Sequence, residues 1–145
     1  MNINFSLEKM LPFLVDVFKK GGNIRFAAQG TSMLPTIRPS RDSILLVYPN
    51  DLKIGDIVLY KRKDGTFVLH RIIDISNDSF TMRGDNQIVD EFGIVRDQII
   101  AKASGIYRDE KYFDSSSKKY YLSFCGKLKN SLRKLKQRIK GVFHK

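Results

Sequence analysis

Between residues 23 and 107 the apolar side chains recur at every second position, in short runs bounded by turn residues. Ile24–Ala28, Ser43–Tyr48 and Ile57–Lys61 read as strands, followed by Thr66–Ile75, Phe80–Arg83 and Gln98–Tyr107. Between them stand Arg38-Pro39-Ser40, Pro49-Asn50-Asp51, Lys63-Asp64-Gly65, Asn77-Asp78 and Gly84-Asp85-Asn86, all residues that favour turns. Residues 87–97, with Asp90, Glu91 and Gly93, read as a loop. Short β-rich runs at this spacing predict a mainly β fold of coiled antiparallel sheets.

The two ends have a different period. From Ser6 to Lys20, Leu7, Leu11, Leu14, Val15 and Phe18 fall on one helical stripe, and Gly21-Gly22 supplies the stop. Pro12 is expected near the first turns, where its missing N–H costs least. Residues 107–119 are polar and Ser-rich, as in a linker. Beyond them Leu128, Leu132, Leu135, Ile139 and Val142 step by four and three among lysines and arginines, which predicts a basic amphipathic helix. The expected organisation is a helix over residues 1–22, a β domain over 23–108, and a linker with basic helix over 109–145.

The net charge of +11 divides along the same boundary. Residues 1–114 hold 16 Lys/Arg against 15 Asp/Glu, whereas residues 115–145 hold 10 Lys/Arg and no acid. A neutral body argues against nucleic acid as the partner of the whole protein, and no reader motif is present. The basic helix, over residues 127–143, is a candidate for packing on the β domain or for peripheral contact with an anionic membrane surface, where each basic residue adds about 1 kcal/mol. The only cysteine, Cys125, has no internal disulfide partner. The apolar run Met10–Phe18 carries Pro12 and Asp16 and is far short of the ~20 residues that a membrane span requires. A cytoplasmic chain is expected.

The chemistry centres on Gly30-Thr31-Ser32-Met33-Leu34-Pro35-Thr36-Ile37. Gly30 can adopt angles closed to other residues, and Pro35 fixes its own φ, so the turn can hold the Ser32 hydroxyl away from the fold. A serine becomes nucleophilic only when a base takes its proton. His70 is a candidate, with an ordinary pKa of ~6.5, whereas a lysine such as Lys61 would have to fall from ~10.4. A histidine base in turn wants an acid to fix its tautomer, and Asp85, Asp90 and Glu91 lie together in one stretch.

Taken in order, Ser32-Met33-Leu34-Pro35-Thr36, Gly55-Asp56-Ile57-Val58, His70-Arg71, Gly84-Asp85-Asn86 and Asp90 resemble the motif blocks of the type I signal peptidase superfamily, which includes the self-cleaving SOS repressors. The resemblance covers about residues 24–107. A histidine before the arginine, where the common bacterial enzymes have lysine, is similar to the endoplasmic-reticulum and sporulation-type branch. The resemblance implies a serine endopeptidase on coiled β-sheets, without metal or cofactor. Ser32 would be the nucleophile and His70 the general base, with Asp85, Asp90 or Glu91 orienting it. The eukaryotic enzymes read Asp-Asp where this chain reads Asp90-Glu91. Gly30 stands where some relatives carry a hydroxyl for the oxyanion, which leaves that role to the Ser32 N–H and to the turn around Gly30 and Thr31. Met33 and Pro35 are the expected substrate-facing positions; Gly55, Asp56 and Arg71 are expected to be structural.

The function expected is therefore cleavage of a peptide or leader segment of a protein substrate, without the membrane anchor of signal peptidases. The alternative is a non-catalytic or self-cleaving regulatory or scaffold protein on the same fold.

Overall fold

The computed structural model describes residues 3–115 and residue 138, with the backbone alone for residues 3–6. It is mainly β. Helix α1 spans Ile3–Lys19, and the strands are β1 (Ile24–Ala27), β2 (Asp42–Val47), β3 (Ile57–Lys61), β4 (Phe67–Ser76), β5 (Ser79–Arg83), β6 (Glu91–Val95), β7 (Ile99–Arg108) and β8 (Lys111–Asp114). All pairings are antiparallel, in the order β1-β2-β7-β3-β4-β5-β6, with β8 attached to β7.

Central strand β3 is apolar at successive positions because both of its faces are covered. Ile57 and Leu59 belong to one core, with Leu7, Leu14 and Phe18 of α1, Met33 and Ile37 of the serine turn, and Ile44 and Leu46 of β2. Val58 and Tyr60 belong to a second core, with Ile72 of β4, Phe80 and Met82 of β5, and Ile94 of β6. The serine turn and His70 are thus anchored on different layers of one sheet.

Three expectations are corrected. Helix α1 begins at Ile3, so Pro12 lies well inside it rather than near its start. Residues 91–95, expected to be loop, form β6, which pairs Phe80 with Ile94 and Met82 with Glu91 across an irregular register. Only Ile94 of that strand is buried, so no alternation marks it in the sequence. Residues 111–114, expected to be linker, return on β7 as β8 through Asp109 and Glu110, both with positive φ. The basic helix and its expected membrane contact fall on residues outside the described ones, Arg138 excepted. Among the described residues no helix is long and apolar enough to cross a membrane.

Candidate active site

The serine turn is a tight coil whose apolar side chains plug the first core. Gly30 opens it with φ +76°, Leu34 N–H donates to Thr31 O at 3.2 Å, and Ile37 N–H donates to Met33 O at 2.9 Å. The Leu34–Pro35 peptide bond is cis. Burial of Met33 and Ile37 fixes the turn against the sheet and leaves Ser32 half-buried, with Thr31 and Pro35 exposed. Met33, expected to face substrate, is therefore mainly a core residue. The Ser32 N–H takes no backbone hydrogen bond among the described residues.

A second segment clasps this turn. Asn86 N–H donates to Ser32 O at 2.8 Å, and Asn86 Nδ2 donates to Thr31 O at 3.2 Å. The Thr36 hydroxyl donates to Asp85 Oδ2. Gly84 allows the approach, since a Cβ there would sit 2.6 Å from Ser32 O. Asp85 in turn receives two parallel bonds from Arg71, Nε to Oδ1 at 2.8 Å and Nη2 to Oδ2 at 2.7 Å. Arg71 Nη1 reaches Gly55 O at 2.6 Å, and Gly55 and Asp56 exchange backbone bonds with Ile72 at 2.8 Å. Asp56 also caps its own turn by accepting from Lys53 N–H at 2.9 Å.

His70 follows from the alternation of β4. It stands opposite Val58 and is buried, with the second core beneath it. Its Nδ1 lies 3.3 Å from the Tyr60 hydroxyl, which donates to Glu91 Oε2 at 2.7 Å. Arg62 grips Glu91 from the other side, with Nε to Oε1 at 2.9 Å and Nη2 to Oε2 at 2.8 Å. The three candidate acids thus separate. Asp85 belongs to Arg71 and Thr36, Asp90 pairs with Arg83 at 2.6 Å, and Glu91 is joined to the histidine through Tyr60. No carboxylate bonds His70 directly among the described residues.

Burial pushes the His70 pKa below the ordinary value, and the Arg62 charge adds to this while Glu91 and Asp85 oppose it. The shift favours the neutral ring. Burial would raise the Glu91 carboxyl, but hydrogen bonds from Arg62 and Tyr60 outweigh it and hold the group below its usual range. Burial also pushes the Tyr60 phenol up, and the bond to Glu91 adds to that. Tyr60 consequently keeps its proton.

His70 opens into a cleft of about 720 Å³ whose wall includes Arg62, Asn86, Asp90 and Glu91. Ile88 and Val89 stand on its rim, 93% and 74% exposed. Ser32 and Gly30 line a smaller cavity of about 140 Å³ with Phe67, Val68 and Leu69, the residues that lead into His70. Asn86 connects the two: its backbone N–H and its side-chain Nδ2 both bond the serine turn, and the residue lines the cleft. Among the described residues no hydrogen bond links Ser32 to His70. Lys61 lines neither space; it forms a partly exposed ion pair with Glu8 of α1 at 2.6 Å.

Tyr60 and Arg62 were not singled out in the sequence, and Thr36 and Asn86 stood in the motif blocks without an assigned role. The available signal was Tyr60 itself, a phenol in a strand of apolar residues, because a buried tyrosine O–H needs a partner. No protein-family model matches the chain, and no curated protein matches it in sequence. No group of three or more His, Cys, Asp or Glu is placed to hold a metal ion among the described residues.

Proposed function

We propose that this chain is a serine endopeptidase of signal-peptidase type, on the coiled antiparallel fold of that superfamily, with Ser32 as nucleophile and His70 as general base. One observation carries the reading. Four segments dispersed in sequence, at residues 31–37, 55–56, 71–72 and 84–86, meet in one hydrogen-bonded clasp beside a serine, and His70 directly precedes Arg71 on β4. The clasp stabilises the fold, and it also holds a nucleophile in place, where small misplacements of a reacting group are costly in rate.

In this mechanism Ser32 Oγ attacks the scissile carbonyl while His70 Nε2 takes its proton. The Ser32 N–H faces the oxyanion that develops. The imidazolium then returns the proton to the leaving amine, and water repeats the sequence to release the acyl group. Contacts between nucleophile and base are often long in free enzymes and tighten when substrate binds. The cleft beside His70, with Ile88 and Val89 at its rim, suits an extended peptide carrying apolar side chains.

The test is acylation of the purified chain by a serine-directed probe, followed by intact-mass measurement. Labelling is expected in the wild type and lost in Ser32→Ala and His70→Ala. Wild-type labelling no greater than that of Ser32→Ala, with and without lipid, overturns the proposal.

A further inference from the structure

The proton on the Tyr60 phenol has one destination. The hydroxyl lies 2.7 Å from Glu91 Oε2, and Arg62 occupies the same carboxylate with both Nε and Nη2. An ionised carboxylate only accepts, so Tyr60 must donate to it. What remains on the phenol oxygen is lone pairs, and these face His70 Nδ1 at 3.3 Å. A ring nitrogen opposite an acceptor carries its hydrogen. In the neutral imidazole the other nitrogen, Nε2, is then the bare one.

We propose that Tyr60 is the positioning residue of His70: its oxygen accepts Nδ1–H, fixes the tautomer that leaves Nε2 as the base, and is itself oriented by Glu91. The acid acts on the histidine only through this phenol. What Nε2 then does rests on the peptidase reading above, but the tautomer does not.

The surroundings support the relay. Tyr60 is fully buried in β3, and its ring is tilted 59° to that of His70 with centroids 6.2 Å apart. Neither group has freedom to turn away. The charged groups that act on His70 are Arg62 just after β3, Glu91 of β6 and Asp85 of the loop after β5; none of these bonds the imidazole directly. A phenol oxygen is a weaker partner for an imidazolium than a carboxylate would be. The relay therefore fixes geometry without placing a formal charge on the ring.

The experiment is two-bond ¹H–¹⁵N correlation spectroscopy on the ¹⁵N-labelled full chain, at a pH above the histidine titration, with His70→Ala to assign His70 against His144. The wild type is expected to show His70 with Nδ1 protonated and Nε2 bare. In Tyr60→Phe the larger part of the population is expected to move to the Nε2–H form that free histidine prefers. A wild-type His70 in the Nε2–H form overturns the proposal, and so does a Tyr60→Phe spectrum with the tautomer unchanged. The wild-type spectrum can overturn it alone, so the test does not depend on the variant folding. Neither measurement involves substrate or Ser32, so loss of the peptidase reading and loss of the relay appear as separate results.

Discussion

Arg71 and Asp85 meet through two parallel bonds with their side chains 3% and 0% exposed. A desolvated pair of this kind contributes modestly when intact, but breaking it strands a buried charge. Asp85→Asn should therefore cost about 3 kcal/mol in urea denaturation. Its loss should also release Thr36 and reduce Ser32 labelling. A cost below about 1 kcal/mol would mean that water reaches Arg71.

Gly84 tests the clasp without touching a charge. Alanine there brings a Cβ to 2.6 Å from Ser32 O and 2.8 Å from Gln87 Oε1. The glutamine side chain can swing aside, but the turn backbone must move. Gly84→Ala should destabilise by about 1–3 kcal/mol, as overpacking does. Ser32 labelling should fall in the fraction that remains folded. Full labelling at wild-type stability would contradict the close packing.

The pH profile of labelling follows from His70. Its pKa is lowered by burial and by Arg62, so the base should be available from below the ordinary value of ~6.5 upward. Arg62→Gln removes a lowering charge and loosens Glu91, which together should move the profile to higher pH. An unshifted or downward-shifted histidine titration by NMR would contradict the assigned roles. The same depressed pKa affects folding, since the unfolded chain binds a proton that the folded one resists. This part of the stability is complete above ~6.5 and is lost as pH falls toward the folded value.

Asp42 governs a lower window. Burial would raise its carboxyl, but hydrogen bonds from Arg108 and Arg38 outweigh this and hold it at about 2. The stability it contributes is present above the unfolded value of ~3.9 and disappears as pH falls toward 2, an effect of about 2 kcal/mol. Denaturation midpoints in Asp42→Asn should be lower at pH 7 and flatter between pH 4 and 2. A wild-type slope retained in the variant would assign the acid transition elsewhere.

Lys61 provides a contrast. Its ion pair with Glu8 is partly exposed, so Lys61→Ala should cost no more than about 1 kcal/mol. Ser32 labelling should be unchanged if His70 is the base. Loss of labelling in a folded Lys61→Ala chain would reverse that assignment.

The strands that alternate were legible in the chain, and β3 coincides with the expected Ile57–Lys61 run. The strands that escaped, β6 and β8, bury too little to show a period. The serine turn, His70 and the acids could be singled out by residue type and spacing, but their wiring could not. Which acid approaches the histidine depends on a contact between Tyr60 and Glu91 that only strand register creates. Asp85, which spacing left equal to its rivals, is occupied by Arg71 for the same reason.

Asn86 and Ser32, Asp85 and Thr36, and Glu91 and Tyr60 are all partners far apart along the chain. A ribosome that has released everything up to β5 has made the serine and the histidine but neither the clasp nor the relay. Until residue 91 has emerged and β6 has docked, the growing polypeptide lacks the bonds that hold the serine turn and the histidine in the folded chain.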